Sequence, residues 1–395
     1  MQQVAQSNLK GSIRLGNYLR RLRAGYGYSL RRVEERARAE GGEIDNSQLS
    51  RYEKGICYPS FDKLRVLASV FNVPVQAFSD VVDLEAFEDL KPKGGDSSSL
   101  LEEGQQAMKS GETALAFACY ERALELLEES ADAPDRDEMV ARTRLSLALA
   151  LHRLGKLSLS EQELRSALRV SDSMDGSLRV QAVLNLANVH ADQGDLFLAE
   201  MEAERAYNFA RAEKLDLMVA RSLHTLARVL ADQGQNGNAI ERYRESADIY
   251  ERCGEAYEAV RIRLNIGGCY VSMGKTREGI RLLRSALLES RSRGYRRQQA
   301  RAWSYLGEAY FKTSDFQRSG KCLRESDALS GVPDKYIDLM FVNAYYDWKM
   351  AGESGNPTRE KIAFGRLKAL RSGLERKFPE VEAFDAHMER GRSDA

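Results

Sequence analysis

The sequence of 395 residues predicts an all-α protein in which a small helical N-terminal unit precedes a long solenoid of paired helices. Apolar residues follow helical spacing through nearly the whole chain. Beyond residue 100, a small turn residue returns at an almost constant interval, as stacked helix pairs require. Only seven prolines interrupt the pattern. The length also exceeds what one compact core usually holds, so at least two structural units are expected.

Composition excludes several classes of protein. With 43% hydrophobic residues and 59 basic against 59 acidic side chains, the chain is not a disordered tail. It contains no run of about 20 apolar residues that would cross a bilayer. The polar start, Met1 to Ser12, lacks the apolar core of a secretion signal. Five cysteines form no Cys-x-x-Cys pair, which argues against a disulfide or zinc framework and predicts a cytoplasmic protein.

Charge is distributed unevenly along the chain. Residues 1–80 contain 13 Lys and Arg and eight Asp and Glu, a balance of +5, so the remaining 315 residues carry −5. A basic unit joined to an acidic body is typical of a nucleic-acid-binding domain attached to a second domain. The asymmetry therefore directs attention to the N-terminal unit.

Five short helices are predicted in residues 1–82. Apolar spacing and turn residues place them at Ile13–Ala24, Leu30–Ala39, a third ending at Lys54, Phe61–Phe71 and a short fifth opened by Val73-Pro74-Val75. Ser29 is the predicted N-cap of the second helix, and Asp45 that of the third.

The third helix has an apolar face and a polar face. Leu49 and Tyr52 are predicted to point inward. The polar residues left facing outward are Asn46, Ser47, Gln48, Ser50 and Arg51. Gln pairs bidentately with adenine and Arg with guanine, so this face is the predicted base-reading surface. Lys54, Arg20 and Arg21 are the predicted phosphate contacts, which position a protein without specifying sequence.

These residues also carry a family resemblance. The segments Leu19-Arg-Arg-Leu-Arg23, Leu49-Ser-Arg-Tyr-Glu-Lys-Gly55 and Pro59-Ser60 resemble the Cro/cI-type (XRE) helix-turn-helix domain. The resemblance implies that the third helix enters the major groove of DNA and that Glu53 pairs with Arg23. One departure is the segment from Ala39 to Ile44, which is longer than the usual turn of that family. A helix-turn-helix kept only for protein interaction is the alternative.

A polar, turn-rich segment from Lys91 to Ser99 predicts a linker, so residues 83–99 are expected to separate two domains. Beyond it, residues 100–330 contain the repeated turn. The turn residues are Gly111, Gly155, Gly194, Gly234, Gly274 and Ser314, separated by 44, 39, 40, 40 and 40 residues. The segments Ala191–Asp195 and Ala231–Gln235 are nearly identical one period apart.

Period alone leaves two kinds of helical repeat open, because HEAT and armadillo units have about 40–47 residues and tetratricopeptide units about 34. The segment Trp303-x-x-Leu306-Gly307-x-x-Tyr310 resembles the tetratricopeptide signature. A small residue also recurs five positions after each turn, where paired helices cross closely: Ala116, Ser160, Ala199, Ala239, Gly279 and Ser319. We therefore expect six such repeats in a right-handed solenoid. An irregular seventh pair (Asp334–Met350 and Thr358–Phe378) and a capping helix from Pro379 are expected to fill residues 331–395.

The combination of an XRE-type domain and tetratricopeptide repeats resembles the peptide-responsive (RRNPP-type) bacterial regulators. That resemblance implies a homodimer that binds a double-stranded DNA operator and holds a short signalling peptide in the groove of its repeats. Peptide binding would then alter dimer geometry and operator affinity, as in quorum sensing.

The groove is expected to be lined by the first helix of each repeat. Its predicted peptide-binding residues are Asn185, Asn188, Arg221, His224, Thr225, Arg228, Arg261, Asn265, Arg301, Tyr305 and Glu308, with Arg142 at an equivalent position. Asparagine carries both a donor and an acceptor, so it can hold a peptide backbone, and arginine can bind a carboxylate bidentately. The alternative is that the arginines only pair with neighbouring acidic residues.

Catalytic chemistry has no basis in the sequence. The four histidines form no His-x-x-x-His pair, and no glycine-rich phosphate loop occurs. We expect no enzyme, metal or cofactor. Three functions therefore stay open: a peptide-gated DNA-binding regulator, an adaptor that binds a protein partner through its repeats, and a constitutive regulator whose repeats only dimerise.

Overall fold

Helices account for all the regular secondary structure in the part of the chain that the structure describes. The computed structural model describes residues 11–129, 136–169, 175–331, 336–374 and 378–393. Within these ranges it contains no strand, which confirms the predicted all-α class. None of the helices described is long and apolar enough to span a membrane.

The chain divides into two units, Met1–Ser173 and Met174–Ala395. The first unit combines the N-terminal helices with two helix pairs. Its helices are α1 (Ile13–Gly25), α2 (Leu30–Ala39), α3 (Asn46–Glu53), α4 (Phe61–Phe71), α5 (Gln76–Asp83), a 3-10 helix (Leu84–Leu90), α6 (Ser97–Ser110), α7 (Thr113–Glu129), α8 (Arg136–Arg153) and α9 (Leu157–Leu168).

The described residues of the second unit form helix pairs and a final helix. Its helices are α10 (Gly176–Gln193), α11 (Leu196–Ala212), α12 (Asp216–Asp232), α13 (Asn236–Arg252), α14 (Ala256–Ser272), α15 (Thr276–Ser292), α16 (Arg296–Lys312), α17 (Phe316–Ser330), α18 (Ile337–Glu353), α19 (Pro357–Arg371) and α20 (Pro379–Ser393).

Side-chain caps begin α2 and α3 where the sequence places them. The Ser29 hydroxyl accepts from the backbone N–H of Arg32, and an Asp45 oxygen accepts from the N–H of Gln48 at 2.7 Å. Each cap satisfies one of the N–H groups that a helix start leaves without an intrahelical partner. Capping thus fixes the start of α3, the helix predicted to face DNA.

The predicted linker, residues 83–99, contains more structure than its composition suggests. Leu84 is buried, and the Phe87 ring packs edge-on against Phe117 with ring centroids 6.2 Å apart. These apolar contacts hold the 3-10 helix on α7. Helix α6 already begins at Ser97, capped by Asp96, so only Lys91–Asp96 connects two helices. The polar composition of Lys91–Ser99 predicts a linker, but it gives no sign of the apolar anchors Leu84 and Phe87 before it.

Every predicted turn residue of the repeats has a positive φ, from 56° at Ser314 to 88° at Gly194. A left-handed residue at this point ends one helix and starts its partner, and glycine adopts that conformation at the least cost. A second series, not recognised in the sequence, has positive φ between successive pairs at Lys214, Gly254 and Gly294. The two series together give the repeats of the second unit their even spacing.

The recurring small residues lie at the close crossings, as predicted. The Ser160 hydroxyl donates to the Ala148 carbonyl at 2.7 Å, and the Ser319 hydroxyl donates to the Gly307 carbonyl at 2.8 Å. A Cβ atom on Gly279 would lie 2.9 Å from the carbonyl oxygen of Gly267. At each crossing the partner lies twelve positions earlier in the chain, so the pairs share one geometry.

The C-terminal pair differs from the prediction at both ends. The predicted start at Asp334 lies outside the described residues, and α18 is described from Ile337. The predicted helix Thr358–Phe378 is α19, which begins at Pro357 and ends at Arg371. Its end is shorter because Ser372 caps it and Gly373 turns the chain beside the side chain of Ile337.

The turn residues provide the first test. Replacing Gly234 by Ala should destabilise the second unit by roughly 1–2 kcal/mol, because a Cβ atom disfavours a φ of 79°. Gly237→Ala is the matched control, since both sites have no atom within 4 Å of an added Cβ and Gly237 lies inside α13. Both tryptophans, Trp303 and Trp348, lie in this unit, so urea unfolding followed by their fluorescence reports the change. Equal midpoints for the two variants would contradict the assignment.

Candidate functional site

Helix α3 presents a polar face to solvent. Leu49 and Tyr52 are buried, as predicted. The predicted base-reading residues divide by exposure: Asn46, Ser47 and Arg51 are exposed, and Gln48 and Ser50 are partly buried. The predicted phosphate contacts Lys54, Arg20 and Arg21 are all exposed. The prediction of an outward polar face is therefore correct.

Neighbouring residues restrain two of these side chains. Lys63 donates to the Gln48 amide oxygen at 2.9 Å, so a bidentate Gln48–adenine pair requires that bond to open. Arg20 lies close to Glu53, whose backbone carbonyl accepts from the guanidinium at 3.3 Å. Arg51 forms no ion pair with any residue that the structure describes. Arg51 is the one cationic side chain of α3, and it is exposed.

An ion pair on the buried side of α3 holds this helix against α1. Glu53 is 5% exposed and accepts two hydrogen bonds from Arg23 on α1, at 2.6 and 2.8 Å. The predicted Arg23–Glu53 pair is therefore confirmed. Close backbone approach adds to it, because a Cβ on Gly16 of α1 would lie 2.6 Å from the Glu53 carbonyl oxygen. Only glycine allows α1 to cross the end of α3 at this distance.

The longer segment between α2 and α3 is also anchored. Ile44 is buried in the domain core, and Gly42 lies against the side chain of Val66 on α4. A Glu34 oxygen of α2 accepts from the backbone N–H of Asn46 at 3.2 Å. The extra residues are therefore packed, and α3 still begins next to α2.

The helix-turn-helix region is fastened to the first two helix pairs. Arg14 of α1 donates to both oxygens of Glu121 on α7, each at 2.7 Å. Lys156 at the start of α9 pairs with Asp83 at 2.6 Å. Burial opposes ionisation of Glu121, but the hydrogen bonds and charge of Arg14 outweigh it and hold the pKa of Glu121 below its usual value. Charged contacts thus join the N-terminal domain to both pairs.

In the second unit, the predicted groove residues fall on matching positions of successive first helices. Asn185, Thr225, Asn265 and Tyr305 are one 40-residue period apart, and all four are partly exposed. A second row at the same spacing contains Asn188, Arg228, Gly268 and Glu308. A third row, Arg221, Arg261 and Arg301, precedes the first by four residues. The three rows form one polar surface across α10, α12, α14 and α16, here called the repeat groove.

Several predicted groove residues contact one another. Arg228 donates to the Asn188 amide oxygen at 2.7 Å and lies 3.8 Å from Asp192. Asp192 was missed in the sequence, although it lies one helical turn after Asn188. These contacts join α10 to α12 through side chains that face the groove.

His224 of α12 contacts two groove residues of α14. An Arg261 guanidinium nitrogen lies 2.8 Å from Nδ1, and the Asn265 amide lies 3.3 Å from Nε2. Burial, followed by the charges of Arg261, Arg228 and Arg301, holds the pKa of His224 well below its usual value. The imidazole is therefore neutral at physiological pH.

The arginines do not all behave alike. Arg261 pairs with Glu258 of its own helix at 2.6 Å, and in the first unit Arg142 pairs with Glu138 at 2.8 Å. Both arginines therefore have an acidic partner on their own helix, and Arg261 contacts His224 as well. Arg221 and Arg301 form no ion pair with any carboxylate in the described ranges. The groove consequently retains two guanidinium groups that no carboxylate of the described residues neutralises.

The far end of the groove is acidic and aromatic. The ring of Tyr305 lies over Gly268, about 3.6 Å from where a Cβ would be. Glu308 pairs with Lys312 at 2.7 Å, and the Tyr346 hydroxyl donates to Glu380 of α20 at 3.2 Å. Burial and the negative charge of Glu308 raise the pKa of Glu380. Repeat periodicity does not identify Glu380, because α20 lies outside the repeat.

Two cysteines and three tyrosines of the repeats pack in the protein interior. Cys119 and Cys322 are buried, and burial raises the pKa of each thiol to about 11. Tyr120, Tyr243 and Tyr310 are buried, whereas Tyr270 is partly exposed and its hydroxyl accepts from Arg244. No group of three or more potential metal ligands occurs among the residues described.

A cavity of about 380 Å³ lies between α13, α14 and α15. Its charged lining residues pair with one another: Glu289 of α15 contacts Arg263 at 2.5 Å and Arg293 at 3.2 Å. The cavity is thus neutralised by the protein itself.

Comparison with known proteins supports both parts of the chain. The family described as Helix-turn-helix domain matches residues 14–78, and the family described as Tetratricopeptide repeat matches residues 179–252. A comparison with curated proteins found no match. The chain therefore contains a helix-turn-helix domain, a fold used for DNA binding, followed by tetratricopeptide repeats.

Solved structures share the architecture at low sequence identity. The apo form of RapI is 11% identical, with a TM-score of 0.57 over 70% of this chain and 98% of its own. A Rap protein complexed with Competence and Sporulation Factor is 16% identical, with a TM-score of 0.54 over 91% of this chain and 96% of its own. The Rap conjugation gene regulator of the plasmid pLS20, in complex with the Phr* peptide, is 14% identical, with a TM-score of 0.52 over 91% and 96%. This chain resembles RRNPP-type regulators in fold.

The crossing of α1 and α3 gives the second test. Gly16→Ala should weaken the packing of α3 by about 1–3 kcal/mol, because the added methyl meets backbone carbonyls rather than movable side chains. Hydrogen exchange measured by mass spectrometry should then show faster exchange in α1 and α3. Gly25→Ala, at the end of α1 with no atom within 4 Å, is the control and should leave exchange in α3 unchanged. Unaltered protection in Gly16→Ala would disprove the close crossing.

Proposed function

We propose that the protein is a DNA-binding transcriptional regulator whose repeat groove binds a short peptide, and that the peptide changes operator binding. The observation that carries the proposal is the presence, in one chain, of an exposed polar recognition helix and a groove with unneutralised arginines and accessible amides. An enzyme does not require an exposed recognition helix, and a structural scaffold does not require a groove with unneutralised arginines and accessible amides.

The DNA-binding part rests on α3 and its support. An exposed arginine and short polar side chains at the start of a helix suit base edges in the major groove. Lys54 and Arg21 flank this face and suit phosphates. The Arg23–Glu53 pair removes Glu53 from the surface, so its negative charge does not repel the DNA backbone. One domain of this kind reads a half-site, and we therefore propose a homodimer on a two-fold operator.

The ligand part rests on the groove chemistry. Asn185 and Thr225 have no side-chain hydrogen bond within the residues described, so they are available to an extended peptide. Arg221 and Arg301 have no carboxylate partner there, and a terminal or side-chain carboxylate of the ligand would neutralise them. The Rap proteins similar in fold are complexed with Competence and Sporulation Factor and with the Phr* peptide. A peptide with a carboxylate is accordingly the proposed ligand class.

Coupling between ligand and DNA follows from the fastened N-terminal domain. Arg14–Glu121 and Lys156–Asp83 tie the helix-turn-helix region to α7 and α9. In our proposal a peptide that shifts the repeats moves the recognition helices of the dimer, because these ties leave the domain little freedom of its own. The peptide must then bind one arrangement of the dimer more tightly than the other, because a ligand shifts the equilibrium between two arrangements only by binding them with different affinities.

DNA recognition yields the third test, which uses fluorescence anisotropy with the DNA upstream of the protein's own coding region. Arg51→Ala should lower the affinity for the specific site by about 1–3 kcal/mol and leave non-specific binding nearly unchanged. Lys54→Ala should weaken binding to every sequence and reduce the slope of log K against log salt by about 1.

Lys109→Ala, an exposed lysine on α6, is the charge-matched control and should bind DNA as the wild type does. Sedimentation of the complex gives the number of chains bound. If intact protein at low ionic strength associates with no duplex fragment of its genome, with or without peptide, the proposed function is wrong.

Peptide recognition yields the fourth test. The probe is the tightest binder selected from a library of random short peptides with free termini. Combined replacement of Asn185 and Asn265 by Ala should weaken binding in calorimetry by about tenfold or more, because two polar contacts to the peptide backbone are lost. Circular dichroism should be unchanged, since both side chains are partly exposed.

Asn208→Ala on α11 is the control, because this exposed asparagine belongs to a second helix of a pair rather than to the groove. Amidating the C-terminus of the selected peptide should weaken binding if Arg221 or Arg301 holds its carboxylate. Adding the free peptide should also change the apparent Kd for the operator severalfold. Full affinity in the double variant would remove these asparagines from the ligand site.

A further inference from the structure

Two of the groove asparagines contact side chains, an arginine and a histidine, whose donor or acceptor role at the contact can be deduced. Asn188 contacts Arg228 through its amide oxygen, at 2.7 Å from Nη2. Asn265 contacts Nε2 of His224 at 3.3 Å. Both asparagines lie on the partly exposed face of their helices. The donor or acceptor role of Arg228 and of His224 therefore decides which amide atom of each asparagine remains for a ligand.

Arg228 gives the simpler case. A guanidinium carries donors only, so the Asn188 atom that it contacts acts as an acceptor and is the amide oxygen. The other amide atom, Nδ2, then carries the hydrogens that are left to other partners. Asn188 consequently acts as a donor toward the groove.

His224 leads to the same result through one more step. Arg261 lies 2.8 Å from Nδ1 and has only donors, so Nδ1 is the unprotonated acceptor of the ring. In a neutral imidazole the hydrogen is then on Nε2, which donates. The Asn265 atom that faces Nε2 in the structure is the amide nitrogen Nδ2, so with a hydrogen on Nε2 two donors would meet. A half-turn of the amide removes this conflict, because it places the amide oxygen there as the acceptor. The Asn265 amide hydrogens are thereby turned away from His224.

We propose that Arg228 and His224 are positioning residues that fix Asn188 and Asn265 with their N–H groups toward the groove, which thereby recognises main-chain carbonyl oxygens of an extended peptide. This inference rests on the proposed function, since it assumes a peptide in the groove. It adds a direction to the contacts: the two asparagines donate to the ligand and do not accept from it. Glu258, 2.6 Å from Arg261, holds the guanidinium beside the ring and so completes the chain of side chains that sets the tautomer.

The charged and titratable groups around His224 support one tautomer. Arg228 lies on α12, the helix that carries His224. Arg261 and Glu258 lie on α14, and Arg301 lies on α16. The Tyr243 ring of α13 lies 5.8 Å from the His224 ring. Asp192 of α10 lies 3.8 Å from Arg228, and three cations against two carboxylates disfavour a second proton on the ring. The single proton is left on Nε2, because Nδ1 is occupied by the arginine.

The first part of the experiment needs no peptide. Selective ¹⁵N-histidine labelling gives few signals, because the chain has four histidines, and His224→Gln identifies the one of interest. We expect a signal of a neutral ring with unprotonated Nδ1 and a hydrogen on Nε2, unchanged between pH 8 and about 6. A hydrogen on Nδ1, or a titration near the ordinary value of about 6.5, would overturn the proposal.

The second part uses the peptide selected from the random library, with the full-length protein. Asn188→Asp and Asn265→Asp each exchange an amide donor for an acceptor of almost the same shape, so each should weaken binding at least about tenfold. If the asparagines instead accepted from peptide N–H groups, the aspartates would bind the peptide as well as the wild type or better. That result would overturn the proposal.

Two substitutions of His224 separate positioning from simple packing. His224→Gln retains an N–H at the site of Nε2, so peptide affinity should stay within about threefold of the wild type. His224→Asn retains a group near Nδ1 but leaves Asn265 without its partner, so affinity should fall about tenfold or more. Equal losses in the two variants would overturn the positioning role. A library without any binder would refute the proposed function, and the labelled-histidine spectrum would still decide the tautomer by itself.

Discussion

The structure depends on one constraint that recurs along the chain: the two helices of each pair cross where only a small residue fits. At these crossings a hydroxyl or bare Cα lies against a carbonyl of the partner helix, as Ser160, Gly279 and Ser319 illustrate. Because the crossing fixes the rotation of both helices, the same face of every first helix is left uncovered by its partner. The ordered rows of the groove follow from that rotation, since equivalent positions 40 residues apart lie in line.

Charged side chains then give the molecule its distinct surfaces. At Glu53, which is buried, and at Glu121, which is partly buried, a guanidinium pairs with both carboxylate oxygens. Such pairs compensate the cost of removing charge from water and impose a definite geometry. One of these pairs holds the recognition helix on α1, and the other holds the N-terminal domain on α7. Arg301, in contrast, lacks a carboxylate partner among the described residues, and it is partly exposed.

The groove has two chemically different ends. Arginines surround His224 and exceed the nearby carboxylates, whereas Glu308 and Glu380 share one tyrosine hydroxyl and one lysine at the far end. A phenol has one hydrogen to donate, so the second carboxylate depends on Lys312. Any bound segment therefore experiences opposite electrostatic environments along its length. Charge distribution of this kind orients a ligand as well as attracting it.

Much of the architecture was determined by local chemistry that the sequence displays. Turn residues such as Gly234, caps such as Asp45 and the small residues at the crossings act over a few positions, so their pattern predicted the repeats and the start of α3. The inward side of α3 and the Arg23–Glu53 pair were also predictable, the first from helical spacing and the second from resemblance. The predicted rows of groove residues follow from the same period.

Tertiary structure alone decided the contacts between residues far apart in sequence. No spacing rule indicates that Phe87 packs on Phe117, that Arg14 meets Glu121, or that Glu380 joins the groove. The state of His224 is another such feature, because its tautomer depends on Arg261, which lies 37 positions away. Periodicity places a side chain on a face, but its protonation and hydrogen bonds depend on neighbours that only the packed helices bring within 3 Å.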